Sequence, residues 1–273
     1  METANNKINI LTNQELSIQI SLNGLSFCIL ETDTNTIVYL QHFIKEQKQT
    51  PFQVLDDLKL KLSTQKELQH EFKAIHVVYI NELATLVPKP LFNEDASADY
   101  LKFNSKILKT DFIAHDDILI NDSVNVYVPF MNINNFLYET YGPFAYKHYS
   151  TILIEQILNK EKHAQDQKMH VHVNKNHFEI IVTNKGKLEL YNTFDYTTKE
   201  DFIYYILFAA EQLSLNPETL IFEFIGRITE DDDLYKIAYK YIRHIEVENI
   251  KPSHTFQNEH GSNLSNFILL NSF

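Results

Sequence analysis

The residues best suited to chemistry are histidines that lie close together in the second half of the chain. Four fall in one short stretch: His163, His170, His172 and His177. His170 and His172 lie two apart on a predicted strand, which puts both on one face, and such a pair can bind a metal. The same spacing is typical of the polar face of an alternating strand, and neither a cysteine nor a fixed carboxylate partner adjoins the stretch. We therefore expect no metal site here.

Other polar residues give weaker signals. The segment HDD at 115–117 could bind a cation with Asp122, but its turn-forming residues favour a hairpin loop. Cys28 lies in the middle of a predicted strand without an adjacent His or Lys, which favours a buried inert thiol over a nucleophile. The G-x-S-x-G signature of a serine hydrolase does not occur. We expect the protein to have no catalytic residues and no cofactor.

Composition and charge exclude several classes of partner. The chain has 273 residues, enough for two ordinary domains, and its net charge of −12 gives no general attraction for nucleic acid or anionic lipid. A single cysteine suits a reducing compartment. The polar start METANNKINI is unlike a signal peptide, and the densest apolar run, YYILFAA, is far shorter than the roughly 20 residues of a membrane helix. We expect a cytoplasmic protein without nucleic-acid or membrane partners.

The first half predicts three strands, a helix and a fourth strand. Residues 17–22, 25–31 and 36–42 read as strands, and Asn23-Gly24 between the first two predicts a type I′ turn. Thr50, Pro51 and Gln53 form a capping box, so a helix should begin there and run to about Gln69. The apolar run AIHVVYI at 74–80 is a buried type of strand.

The second half repeats this order. Strands are predicted at 169–174, 177–183, 187–192 and 220–225, with a helix capped by Thr197 and Glu200 before the last of them. A further helix should begin at Thr229, followed by a strand at 244–247. The first strands begin at 17 and 169 and the second at 25 and 177, so both pairs are 152 residues apart. The repeat predicts a duplicated β-β-β-α-β-α-β unit with mixed sheets.

These elements divide the chain into two domains and a tail. The first domain is predicted at 13–160, with extra material at 93–149 that holds a helix near 95–103, strands near 112 and 124–128, and a helix after Pro129. The second domain is predicted at 168–250. The tail at 251–273 ends in FILLNSF, whose apolar residues should pack back on the body.

Two copies of such a unit resemble the actin, sugar kinase and Hsp70 superfamily. Three stretches, TLVPKPLF (85–92), LYNTFDYTTKEDFIYYILF (190–208) and FIGRI (224–228), are similar to a family of uncharacterised bacterial proteins with an actin-like ATPase fold and no established function. The resemblance implies an α/β fold of two ribonuclease-H-like domains. It implies no activity.

In the superfamily that this sequence resembles, two Asp-x-Gly hairpins hold Mg²⁺ and phosphate, and a glycine pair contacts adenosine. Here the first hairpin reads Ser21-Leu22-Asn23-Gly24, which keeps the glycine but has no acid. The second offers only Asn174 and Asn176 near its turn, without acid or glycine. The adenosine loop reduces to Gly226-Arg227. Without the two carboxylates, Mg²⁺ and a γ-phosphate cannot be held together, so we expect a degenerate nucleotide site.

The function that remains is binding. Tyr204 and Tyr205 are consecutive on a predicted helix, so one of them should be partly exposed or lie between the domains, and tyrosine is common at protein interfaces. We expect a protein-interaction or scaffold role with an unknown protein partner. A nucleotide-binding (ATP) switch or weak ATPase is the alternative. The sequence leaves partner, pathway and oligomeric state open.

Overall fold

The computed structural model describes residues 13–103, 105–248, 254–257 and 266–273. The chain forms two compact units. Among described residues, unit 1 holds 13–153, 254–257 and 268–273, and unit 2 holds 154–248 with 266 and 267.

Unit 1 is built on a six-stranded mixed sheet. Its strand order is β14-β3-β2-β1-β4-β8, with β1 antiparallel to β2 and parallel to β4. The strands are β1 Gln14–Ser21, β2 Gly24–Glu31, β3 Thr36–Ile44, β4 Ala74–Ile80, β8 Ala145–His148 and β14 Thr255–Phe256. Helices α1 (Pro51–Thr64) and α3 (Met131–Tyr141) bury their apolar residues in a core with β1, β2 and β4.

Unit 1 also carries a second, three-stranded sheet with the order β5-β7-β6. Its elements are β5 Ala84–Pro88, the short helix α2 Ser97–Lys102, β6 Ala114–Ile118 and β7 Ser123–Tyr127. The predicted hairpin loop at 115–117 is wrong, because these residues form β6 and Asp116 is buried against β7. Only Asp122 occupies the turn, at φ 48°.

Unit 2 is built on a five-stranded mixed sheet with the order β11-β10-β9-β12-β13. The helix α4 spans Tyr149–Glu161, and its residues from Ile154 onward belong to unit 2. The other elements of unit 2 are β9 Gln167–Val173, β10 His177–Asn184, β11 Lys187–Asp195, α5 Lys199–Gln212, β12 Ile221–Gly226, α6 Asp233–Ala238 and β13 His244–Val247. Apolar residues of β9, β10, β12, α5 and α6 form the core on one face of the sheet.

The helix ends show where the sequence signals succeed and fail. The capping box is present at Thr50, whose hydroxyl accepts the Gln53 N–H, but α1 ends at Thr64 rather than near Gln69, because Gln65 is extended. In α5 the box is one residue later than predicted: Thr198 is the cap, and Asp201 rather than Glu200 completes it.

The helix after β12 also begins later than predicted. Thr229 does not cap it. The Thr229 N–H instead donates to the carboxylate of Asp232, and the helix begins at Asp233.

The described end of the chain packs on unit 1, as its apolar residues predicted. Leu269 in the short helix α7 (Phe267–Leu270) is buried with Cys28, Leu30 and Ile37 on the face of the sheet opposite the main core. The hydroxyls of Ser17 and Ser272 are 2.6 Å apart. Among the described helices, none combines the length and apolar character needed to cross a membrane.

Candidate functional site

The first predicted phosphate hairpin is closed by its own side chains. Ser21 and Gly24 face each other across the β1–β2 register, so Leu22 and Asn23 form the loop. The Ser21 hydroxyl accepts the Asn23 N–H at 3.1 Å and donates to the Gly24 carbonyl at 3.2 Å. The predicted type I′ turn is wrong, because Gly24 has a positive φ and Asn23 does not.

Gly24 has a packing role on this hairpin. At its φ of +139°, a Cβ would lie 2.2 Å from the Phe43 carbonyl oxygen of β3. The glycine therefore permits close approach of two strands, and nothing about it requires a bound phosphate.

The segment after β3 occupies the outer side of the same hairpin. The Lys45 N–H donates to the Asn23 carbonyl and the Gln49 N–H to the Leu22 carbonyl, both at 2.7 Å. Asp57 is the nearby acid, and both Lys45 and Gln49 donate to it at 2.8 Å. These hydrogen bonds, led by that of Lys45, lower the pKa of Asp57. This acid was not predicted from the sequence, because it lies on α1 and not in the hairpin itself.

The second predicted phosphate hairpin is held by Tyr196. Its hydroxyl is 2.8 Å from the Asn174 carbonyl and 3.1 Å from the Lys175 carbonyl, and its N–H donates to the Asn176 carbonyl at 3.2 Å. The carbonyl groups of the turn are therefore bonded within unit 2. The sequence did not predict this contact, because Tyr196 lies 22 and 21 residues from the two residues whose carbonyls it contacts.

A buried carboxylate lies directly behind this turn. Glu179 of β10 is fully buried and pairs in register with His172 of β9. Its Oε2 lies 2.7 Å from His172 Nδ1 and accepts a hydrogen bond from Asn174 Nδ2 at 3.1 Å, while Oε1 lies 3.2 Å from His177 Nε2. Burial acts to raise the pKa of Glu179, but the bonds from His172 and His177 outweigh it and lower the pKa to about 2.

The Gly226-Arg227 loop is tied to the same end of β9. The Arg227 N–H donates to the Val173 carbonyl at 2.9 Å. Gly226 has φ +91°, and a Cβ there would lie 2.6 Å from that carbonyl oxygen and 3.0 Å from the His172 ring. The structure thus brings Gly226, Arg227 and the second hairpin together in unit 2. The side chain of Arg227 is exposed.

The four histidines do not form one cluster. His163 is exposed, His172 and His177 bind the Glu179 carboxylate, and His170 contacts different carboxylates. The partner of His172 could have been found from the sequence, because an antiparallel hairpin with its turn at 175–176 places residues 172 and 179 opposite each other.

Unit 1 contains a second buried carboxylate, Asp116. It accepts hydrogen bonds from the Tyr127 hydroxyl at 3.0 Å, the His148 N–H at 2.8 Å and the Thr151 hydroxyl at 2.7 Å. Burial raises the pKa of Asp116 in spite of these bonds. Asn125 extends the network by donating to the Thr151 hydroxyl at 2.9 Å. With three donors already on Asp116, this network stabilises the fold around β6 and β7.

One exposed aromatic pair lies on α5. Tyr205 packs on Phe194 at 4.8 Å, whereas Tyr204 is 60% exposed and stacks with Phe208 at 6.1 Å. Phe208 is 45% exposed. The prediction that one of the two consecutive tyrosines is exposed is confirmed.

The sheets define the class of protein. In each unit, three antiparallel strands are followed by parallel strands beside the first, which gives the ribonuclease-H-like orders β3-β2-β1-β4-β8 and β11-β10-β9-β12-β13. Two such units make an actin-like ATPase fold. Residues 3–245 match the family described as protein of unknown function DUF3822, and the chain belongs to that family.

Solved structures support the fold. The chain is similar to a Bacteroides thetaiotaomicron VPI-5482 protein described as having an actin-like ATPase fold and unknown function. The two share 23% identity and a TM-score of 0.76, over 95% of this chain and 96% of that one. It is also similar to a chain of the PilM-PilN type IV pilus biogenesis complex, at 8% identity and a TM-score of 0.61, over 94% and 97% of the two chains. A search of curated proteins finds no match.

Proposed function

We propose that this protein acts by binding another protein, in the cytoplasm, and that its actin-like ATPase fold does not hydrolyse ATP. The observation that carries the proposal is the state of the two hairpins. Each lacks the metal-side carboxylate, and the Asn23 N–H of the first is bonded to Ser21 rather than directed outward. Phosphoryl transfer needs Mg²⁺ and positioned phosphates, and these hairpins supply neither.

The exposed aromatic pair Tyr204 and Phe208 is our candidate for the contact surface. Aromatic side chains combine a large apolar area with few rotatable bonds, and they are enriched at the centres of protein interfaces. The structural similarity to a chain of the PilM-PilN type IV pilus biogenesis complex supports a binding role in one respect: that chain was solved within a protein complex.

A nucleotide-binding switch is the second candidate, and one observation favours it. Lys175 and Arg227 are exposed cations beside the second hairpin. Cations can attract phosphates without a metal, although such binding would not by itself give turnover.

Thermal unfolding with ATP and Mg²⁺ separates the two candidates. A nucleotide at 100 times its Kd adds about 2.7 kcal/mol, which raises the Tm by roughly 5–10 °C for a chain of this size. We expect no shift and no phosphate release. A reproducible shift that disappears in the Lys175→Ala, Arg227→Ala double variant would overturn the binding-only proposal in favour of the switch.

The contact surface has its own test. Proteins captured by the purified chain should be identified, purified and measured again with Tyr204→Ser, Phe208→Ser. We expect at least a tenfold loss of affinity for this variant. The matched control is Tyr138→Ser, which removes a tyrosine that is 61% exposed on α3. Equal affinities for the two variants would refute the assignment of this surface.

A further inference from the structure

His170 is a fully buried imidazole between carboxylates from two other elements of unit 2. It lies on the face of β9 opposite the main core and pairs in register with Glu223 of β12. His170 Nδ1 is 2.7 Å from Glu223 Oε2. On its other side, Nε2 is 3.8 Å from Oε1 of Glu161, the last residue of α4.

The hydrogen bond to Glu223 decides which nitrogen is available. A carboxylate accepts, so Nδ1 carries the hydrogen and Nε2 keeps its lone pair. Nε2 is buried and has no hydrogen-bond partner among the described residues. Histidines that bind metals are oriented in this way, with one nitrogen donating to a carboxylate and the other directed at the ion.

We propose that His170 Nε2 and a carboxylate oxygen of Glu161 bind one divalent transition-metal ion, for which Zn²⁺ fits best, while Glu223 keeps its hydrogen bond to His170 Nδ1 and orients the imidazole. One donor atom from each of the three residues lies within 4.8 Å of the other two. Zinc binds imidazole nitrogen and carboxylate oxygen at about 2.0–2.2 Å, so two ligands of one ion lie at most about 4.2 Å apart. The 3.8 Å between Nε2 and Glu161 Oε1 satisfies this limit. Mg²⁺ and Ca²⁺ prefer all-oxygen sites, which argues against them.

Two lysines surround the site and must be accounted for. Lys160 is 2.6 Å from Glu223 Oε1, and Lys168 is 2.9 Å from Glu161 Oε2. In each glutamate, the lysine is therefore closest to the carboxylate oxygen that is farther from His170. Lys168 is also 3.2 Å from Glu161 Oε1 and has to move away from that oxygen when a metal binds.

The charges around the site leave room for a cation. Glu248 lies 2.6 Å from Lys160, so three carboxylates face two lysines. With a neutral His170, one negative charge is in excess. A divalent ion reverses that excess, and a single proton on His170 Nε2 cancels it. The proton is therefore the competing occupant.

The test loads the site during folding, because the site is buried. Full-length protein is unfolded in guanidinium, refolded with Zn²⁺ or with a chelator, dialysed against a weak chelator and analysed for metal by mass spectrometry. Refolding with Co²⁺ adds a visible spectrum that reports nitrogen and oxygen ligands. We expect one ion per chain, and at least tenfold weaker binding in His170→Gln and in Glu161→Gln.

His163→Ala is the matched control, because His163 is an exposed histidine two residues from Glu161. It should bind metal like the natural chain, and circular dichroism of each variant checks that it is folded. Absence of retained metal in the natural chain would overturn the proposal. So would unchanged binding by both ligand variants, or stabilisation by acid alone in the presence of chelator.

Discussion

Replacement of Glu179 by Gln should weaken unit 2 in a pH-dependent way. The variant keeps the shape of the side chain but removes the charge that His172, His177 and Asn174 surround. The pKa of Glu179 falls from 4.5 to about 2 on folding. At 1.36 kcal/mol per pKa unit, that difference corresponds to about 3 kcal/mol of folding free energy.

The sign of the pH dependence follows from the direction of the shift. The folded state lowers the pKa of Glu179, so the folded state favours the ionised carboxylate. Its stabilisation is complete above the unfolded pKa of about 4.5 and is lost as the pH falls towards about 2. The natural chain should therefore exceed Glu179→Gln in stability by about 3 kcal/mol near neutral pH, and by progressively less in acid.

This difference is measured by urea unfolding at several pH values. Hydrogen exchange of the β9 and β10 amides is used to monitor the unfolding, so that the measurement reports on unit 2 alone. The matched control is Glu211→Gln on α5, an exposed carboxylate whose loss should change stability by no more than about 0.5 kcal/mol. A difference between the natural chain and Glu179→Gln that stays constant from neutral to acid pH would refute the electrostatic explanation.

Two further predictions concern unit 1. Leu269→Ala should lower the free energy of unfolding by about 2–4 kcal/mol, because it removes a buried side chain. It should also speed the reaction of Cys28 with a thiol reagent, because the packing that buries this thiol also raises its pKa to about 12. An unchanged reaction rate would contradict the packing. Gly24→Ala should lower the free energy of unfolding by more than about 2 kcal/mol, because its Cβ would meet the Phe43 carbonyl. Gly142→Ala, which has open space around it, should lower it by about 1 kcal/mol. Equal melting temperatures for the two variants would contradict this prediction.

The sequence predicts best those elements whose signals are local. The capping box at Thr50 needs only neighbouring residues, and it is present as predicted. The strand at 74–80 is apolar enough to be recognised alone, and its bounds agree with the structure. The order and duplication of the strands follow from the same local patterns, and the fold was predicted from them.

The elements that were missed depend on distant partners. The strand β5 contains a proline and is held by pairing with β7, and the four-residue β8 is held by pairing with β4. Gly24 pairs with Ser21 and lies close to the Phe43 carbonyl of β3, so it is a strand residue and not the second residue of the loop, and the Asn23-Gly24 pattern predicted the wrong turn.

The buried polar sites show the same limit. Glu179 and Glu223 lie on strands where a carboxylate normally indicates a solvent-facing position. The predicted hairpin is enough to pair Glu179 with His172, but only the pairing of β9 with β12 reveals that Glu223 faces His170. The lack of acids in the two hairpins was readable from the sequence directly. What replaces them, Tyr196 and Ser21 bonding the turns, required the geometry.

The packing of Leu269 against Cys28 affects the order in which the protein can fold during its synthesis. Leu269 lies about 240 residues beyond Cys28, and every described residue of unit 2 is translated before it. At roughly 5–20 residues per second, a ribosome needs on the order of 10–50 seconds to cover that distance. Until then the face of the sheet around Cys28 lacks its cover, so unit 2 can complete its core before unit 1 does.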